Sequence, residues 1–370
     1  MKMSNLRLFF NKNKFLVFFI AMGFFFSQFY LWKSGLPQLA HIFIIPSFLI
    51  FIFLNKKLKI AEAKILVFFV CYAFFVNIYY TFLIDDLSYI VSTVYWIFNL
   101  ILFLILVSLG EVYVKKLFYY LKYIIPVSLI INIIIWAVGA GRYNFSPRYN
   151  GYFNDPNQMA FWVLCSCAIG LILFNNLKFK IIVYSLSFFL ILLTMSRSAT
   201  LGFLILTLGL IFQHKSRLDF KIIFSLISLL VAIVSFFILL KFGFLDNIVT
   251  RFSEGIQQND DQVSSRGFDI LINFPEYLLF GAGQGAYYLY SDTGGEIHST
   301  WLGILFYYGV VGFFLFIYFL FKIFKKLDFA EKIIFLGPMF YGFFTYNART
   351  LSFWFLVAIF LLYSKHREKS

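Results

Sequence analysis

The chain is predicted to be an all-α, polytopic integral membrane protein with about 12 transmembrane helices, and three observations carry that prediction. Of 370 residues, 62% are hydrophobic and only 13% are charged, against about 45–50% apolar and about 25% charged in soluble domains. Apolar runs close to the roughly 20 residues that cross a bilayer core recur from one end to the other. Lysines gather in short clusters between those runs, the pattern of loops on the cytoplasmic side. Backbone groups at bilayer depth must hydrogen-bond within their own segment, and uninterrupted apolar runs do not suit the alternation of a barrel, so the spans are helical. One transmembrane domain, 1–370, is expected.

A first helix at 15–32 follows Lys2, Arg7, Lys12 and Lys14. Its length, its bulk and the lack of a small-residue cleavage site mark it as a retained span rather than a signal peptide. Further runs cover 36–55, 63–84, 89–110, 123–140 and 158–174; before the last of these, Asp155 and Pro156 have the form of an N-cap and a first-turn proline. The runs at 181–195 and 198–213 are divided only by Ser196-Arg197-Ser198. Four more follow, at 222–241, 299–321, 333–347 and 351–363. Cys71, Cys165 and Cys167 sit inside apolar runs without ligand spacing and are expected to be packing residues.

With both termini in the cytoplasm, the inner segments collect 23 Lys and Arg with 6 Asp and Glu, and the outer segments 8 and 11. An error of one helix in the middle would scramble that segregation. The net charge of +14 therefore belongs to the inner loops, and no nucleic-acid partner is expected. Twenty of the inner basic residues are Lys, whereas six of the outer eight are Arg: Arg142, Arg148, Arg197, Arg251, Arg266 and Arg349. Topology asks only for charge; the planar fork of Arg fits phosphate.

One connection is long, 242–298, and falls outside. Within it Arg266, Asp269, Asn273 and Glu276 recur at helical spacing opposite Phe268, Leu271 and Ile272, which predicts a short amphipathic helix on the membrane surface, ended or bent by Pro275.

Four polar clusters abut helix ends on this outer side. The first, from Gly141 to Gln158, is rich in turn formers and carries Arg142, Arg148 and aromatic rings able to stack on sugar faces; helix capping accounts for Asp155 and Pro156 but not for the Arg pair. In the second, Thr194-Met195-Ser196-Arg197-Ser198, a charge at the end of two spans is costly unless paired or turned to the interface. Ser196 stands where it can cap the following helix and aim its positive end at an anion. The third leads from Arg266 to Gly281-Ala282-Gly283-Gln284-Gly285, with no strand before it and no Walker lysine, so a flexible loop offering N–H groups to a substrate is expected instead of a nucleotide site. The fourth, Gly295-Glu296-Ile297-His298-Ser299-Thr300-Trp301, opens the tenth helix. His298 is one of four histidines; His41 lies within a span, and His214 and His366 lie in basic inner segments. At an outer helix mouth beside Glu296, His298 fits a proton-transfer role. Asp260-Asp261, among Gln and Asn, fits a solvated pair better than a metal site, and no cofactor or metal is expected. An enzyme on this face needs a donor that brings its own leaving group across the membrane, and a lipid diphosphate-linked sugar meets that need.

These residues, in this order, resemble the O-antigen polymerases and the related O-antigen ligases of bacterial envelope polysaccharide assembly. The resemblance rests on Arg148 with Asn150-Gly151-Tyr152-Phe153-Asn154-Asp155-Pro156-Asn157, then Thr194-Met195-Ser196-Arg197, then Arg266 leading to Phe280-Gly281-Ala282-Gly283-Gln284-Gly285, then Glu296-Ile297-His298-Ser299 with Gly309 and Gly312. Ser299 stands where the family commonly has Asn. The resemblance implies metal-independent, inverting glycosyl transfer between undecaprenyl-diphosphate-linked glycans at the periplasmic face of a bacterial inner membrane, for O-antigen or a related surface polysaccharide. By the same resemblance Arg197 and Arg266 clamp the diphosphate and His298 activates or orients the acceptor hydroxyl. Arg142, Arg148, Asn157, Glu296 and Arg349 are expected to bind substrate. The expected partners are the lipid-linked donor and acceptor, the bilayer, a chain-length regulator and a flippase. Polymerisation is the preferred expectation. A ligase moving glycan to lipid A core would use the same residues. A lipid-linked oligosaccharide flippase would need intramembrane charges, of which this chain has few. A nonenzymatic partner of an export complex is the remaining alternative.

Overall fold

The structure is a computed structural model and describes residues 15–32, 38–53, 58–213, 267–290 and 295–368. Its elements are helices, and among the described residues the only β pairing is an isolated bridge between Phe145 and Arg148. Among the described residues, eleven helices longer than a single turn follow in order: α1 Phe15–Phe26, α2 Leu39–Phe53, α3 Ile60–Ile84, α4 Ser88–Leu109 and α5 Val112–Ala137, α6 Pro156–Leu173, α7 Leu177–Thr194, α8 Arg197–Gln213, α9 Thr300–Lys325, α10 Phe329–Tyr341 and α11 Leu351–Arg367. Each coincides with a predicted run. The predicted span at 222–241 lies outside the described residues, as do Arg251 and Arg266. By length and composition, six of the helices are long and apolar enough to cross a membrane: α3, α4, α5, α6, α7 and α9.

Several features depart from the expectation; α10, for one, runs from Phe329 to Tyr341 rather than over 333–347. α5 begins at Val112, continuing from α4 across a kink at Tyr113, so Lys115, Lys116 and Lys122 lie on a helix rather than in a loop. Lysine is a good helix former, and a helix can run past the apolar layer. α1 ends at Phe26, and the chain turns after it. The amphipathic helix expected around Asp269–Glu276 does not form: a single turn, Ile270–Asn273, breaks at Phe274 (φ −129°, ψ 59°) and gives way to a 3-10 turn at Pro275–Leu278. Pro275 has no N–H to continue the ladder.

α6 is the central post. Sixteen of its eighteen residues are buried, the exceptions being Asn157 and Gln158 at its polar start. It packs against α7, α8, α10 and α11. α8 and α10 approach closely where glycines meet: a Cβ on Gly202 would lie 3.0 Å from the Gly337 carbonyl oxygen, and one on Gly337 would lie 2.8 Å from that of Gly202. Small residues that let backbones touch are the usual adhesive between helices where water supplies no hydrophobic drive.

The two ends of the bundle differ in chemistry. At one end, Glu62 at the start of α3 pairs with Lys326 (3.3 Å) and with Lys365, and Arg367 pairs with Asp328 (2.6 Å) and Glu331. These residues join the starts of α3 and α10 to the end of α11. Toward the opposite end of the bundle lies a cavity lined by polar side chains and aromatic rings.

Candidate functional site

The cavity has a volume of about 590 Å³, inside the range of roughly 300–1,000 Å³ typical of ligand pockets. Its walls come from the turn after α1, the starts of α2 and α4, the start of α6, and the segments before α9 and α11. His298, Glu296, Arg349 and Asn157 line it together, although 192 positions separate Asn157 from Arg349 in the sequence.

His298 is exposed at the cavity and held by its neighbours. The Ile297 side chain is buried, and its N–H donates to Tyr307 Oη at 3.0 Å. Ser299 is the N-cap of α9, its Oγ accepting from Leu302 N–H at 3.3 Å. The cap explains why a small hydroxyl residue suits this position. Thr300 then ties the start of α9 to the next connection: its N–H donates to the Gly342 carbonyl (2.7 Å) and its hydroxyl to the Thr345 carbonyl (2.8 Å). That connection brings Arg349 to Glu296, with Nη2 and Oε1 2.5 Å apart. The guanidinium also lies over the Tyr346 ring, 5.2 Å from its centroid. Burial works against the arginine's charge, but Glu296 and then Tyr287 outweigh it and raise the pKa, so Arg349 remains a cation. Burial pushes the Tyr287 hydroxyl up to about 12, with Glu296 adding to the effect, so this phenol stays protonated and can donate to a ligand.

Arg148 faces inward rather than into the cavity. It is buried, its Nε donating to the Thr194 carbonyl (3.0 Å) and Nη2 to Asn157 Oδ1 (2.7 Å). Its place is behind the wall, where it orients Asn157 and ties the loop before α6 to the end of α7. Ser196 approaches the same point, 3.4 Å from Asn157 Oδ1 and 3.3 Å from Tyr341 Oη. Arg197 follows it as the first residue of α8, half-buried, beyond the cavity lining. Met195 in the left-handed conformation (φ 49°) makes the turn between α7 and α8 that Ser196-Arg197-Ser198 predicts. Arg142 lies outside the lining too, donating from Nη1 to Asn154 Oδ1 at 3.1 Å.

Asp155 is the N-cap of α6, accepting from Asn157 N–H at 2.5 Å, with Pro156 in the first turn as expected. The aromatic rings of its loop include exposed Tyr143 and Phe145, which do not line the cavity, and buried ones. Tyr149 and Phe153 are buried, and the rings that line the cavity are Tyr30, Tyr95, Phe98, Tyr287 and Tyr346. No spacing in the sequence joins these five; they meet only in the fold.

The glycine-rich loop also differs from expectation. Its N–H groups are spent on the protein: Ala282 donates to the Phe306 carbonyl and Gly283 to that of Tyr307, both at 2.9 Å, and Gln284 to Asn77 Oδ1 at 2.8 Å. The two carbonyls are available because α9 breaks at Gly309 (φ 63°, ψ −176°). Gln284 is wholly buried, its Oε1 accepting from Trp96 Nε1 (3.0 Å), Tyr308 Oη (3.0 Å) and Tyr346 Oη (3.2 Å). The loop is a fixed brace between α3, α4 and α9, and only Gly285 of it reaches the cavity.

Among the described residues no group of His, Cys, Asp and Glu is arranged to hold a metal ion. Cys71, Cys165 and Cys167 are free, the last two buried in α6. No curated protein matches the chain. Residues 182–317 match the family model described as O-antigen ligase. Arg197, Glu296, His298 and Gly309 lie inside that stretch; His41, Asn157 and Arg349 lie outside it. Over residues 182–317 the chain is therefore similar to the O-antigen ligases.

Proposed function

We propose that the protein polymerises undecaprenyl-diphosphate-linked oligosaccharide repeat units by inverting glycosyl transfer at the periplasmic face of the inner membrane, building O-antigen or a related surface polysaccharide. The observation that carries this reading is the convergence of His298, Glu296, Arg349 and Asn157 on one cavity walled by hydroxyls, amides and aromatic rings. Hydroxyl-rich, ring-shaped ligands match such walls, and the family match supplies the reaction class.

His298 takes the proton of the acceptor hydroxyl as that oxygen bonds to the anomeric carbon of the donor. The bond from that carbon to the diphosphate breaks, and the electron pair leaves on the lipid-linked diphosphate. A positioned general base is worth about 10² to 10⁴ in rate. Arg197 and Arg266 bind the departing diphosphate, where preorganised charge lowers the barrier. Glu296 and Arg349 hold each other and present fixed polar groups to the sugar. A chain-length regulator and a flippase are the protein partners of such an enzyme.

The test is the surface glycan ladder from a deletion strain complemented with wild type or His298→Ala at matched membrane levels. A single repeat unit on lipid A core, in the deletion and in the variant, is the expected result. Long glycan accumulating on the undecaprenyl carrier would make the protein a ligase, and an unchanged ladder would remove the proposal.

A further inference from the structure

His41 lines the cavity from the first turn of α2, outside the stretch that the family model covers. The Gln38 N–H donates to its Nδ1 at 2.8 Å. A first-turn side chain is thus reaching back to the backbone N–H that precedes its helix, as Glu or Gln does in a capping box. The Gln38 carbonyl oxygen also lies 3.1 Å from Nδ1, but the backbone N–H can only donate and is the closer group, so Nδ1 accepts and the neutral ring carries its proton on Nε2. Phe98 of α4 packs on the ring, with centroids 5.0 Å apart, and fixes its plane. The residue is only 8% exposed, and among the described residues Nε2 makes no hydrogen bond. His41 lines the cavity, so this N–H is open to an oxygen of a bound ligand.

We propose that His41 is a substrate-contacting residue whose Nε2–H donates to a hydroxyl or ring oxygen of a neutral sugar seated in the cavity. The sugar class follows from the charge of the walls. Among the described residues Arg349 is the only Lys or Arg in the lining and is paired with Glu296, the Asp155 carboxylate is engaged as a helix cap, and Asn99, Gln158, Ser92 and Tyr95 offer uncharged donors and acceptors. The inference rests on the glycan-transfer reading given above.

Two variants separate this role from helix capping. His41→Gln keeps both functions, since an amide oxygen can accept from Gln38 N–H while the amide nitrogen donates to the cavity. His41→Glu keeps the capping acceptor and presents no donor. The protein is reconstituted in nanodiscs and given lipid-linked repeat units extracted from the deletion strain. The expected result is a KM for His41→Gln close to wild type and a rise of roughly tenfold for His41→Glu, the loss of about one hydrogen bond. Both variants should keep the wild-type melting temperature in the absence of the glycan. Equal KM values for the Gln and Glu variants, or a wild-type KM for His41→Ala, would overturn the role of His41 while leaving the function standing if His298→Ala is inactive. A wild type that neither binds nor consumes the repeat units overturns both.

Discussion

The guanidinium of Arg148 divides its donors between the Thr194 carbonyl and Asn157 Oδ1, two acceptors on different elements. A lysine keeps the charge but offers one nitrogen on a flexible stem and cannot span both. Arg148→Lys should therefore leave a buried acceptor unsatisfied, at a cost of about 1–3 kcal/mol. It should also let Asn157 drift at the cavity wall. A thermal melt of the purified protein, beside the glycan ladder, is the check: reduced stability together with shortened glycan is expected, and a wild-type melt would show that the two bonds do not matter. The sequence marks Arg148 as unusual because Arg on the outer side is not explained by topology. It does not reveal which way the side chain turns, because that depends on acceptors 9 and 46 positions away. His298 and Glu296 stand out in the sequence because they sit two residues apart beside a helix start whose cap is local. His41 gives no such signal, since a histidine inside an apolar run looks like core until α4 and the 295–298 segment come to face it.

Within α9, the break at Gly309 and the glycine-rich loop depend on each other. The break frees the Phe306 and Tyr307 carbonyls, and the loop fills them with its own N–H groups. A Cβ at Gly309 would meet the Leu279 carbonyl oxygen at 2.3 Å, and one at Gly281 would meet that of Tyr307 at 2.4 Å. The Gly309 conformation is also one that essentially only glycine adopts, with a cost of order 1–3 kcal/mol for other residues before any clash is counted. Gly309→Ala should push the loop out of α9, release Gln284 from Trp96, Tyr308 and Tyr346, and lower both membrane abundance and melting temperature. Cleavage by an added protease near 279–285 would be expected to increase, and a protease pattern like wild type with normal abundance would refute the mutual dependence. From sequence, glycines after a long polar stretch look like a mobile substrate loop. The hydrogen bonds that fix them join residues about 24 and 207 positions apart, beyond any local pattern. The helices themselves were legible because each is a local apolar run, and the misread amphipathic turn failed because Pro275 and tertiary packing overrode its periodicity.

At the scale of the whole molecule, α3 separates a charged cluster from the cavity. α3 runs from Glu62, in the ion-pair cluster with Lys326 and Lys365, to the turn before Ser88 at the cavity. Its 25 residues, at about 1.5 Å each, separate the two by roughly 37 Å, more than a hydrocarbon core of about 30 Å. Charge counts per loop carried this arrangement in the sequence because insertion responds to summed charge, not to individual contacts. Which end faces outward then decides the chemistry, since only an outward cavity requires a donor that carries its own leaving group through the bilayer. Single cysteines can report it in a background where the exposed Cys71 is replaced by Ala. Tyr288→Cys, 61% exposed near the cavity, should react with a membrane-impermeant maleimide in intact spheroplasts. Lys325→Cys, at the last turn of α9, should react only after permeabilisation. The reverse pattern would put the cavity in the cytoplasm, where nucleotide-activated sugars are supplied, and would remove the reason to read this site as acting on lipid-linked glycans from the outer side.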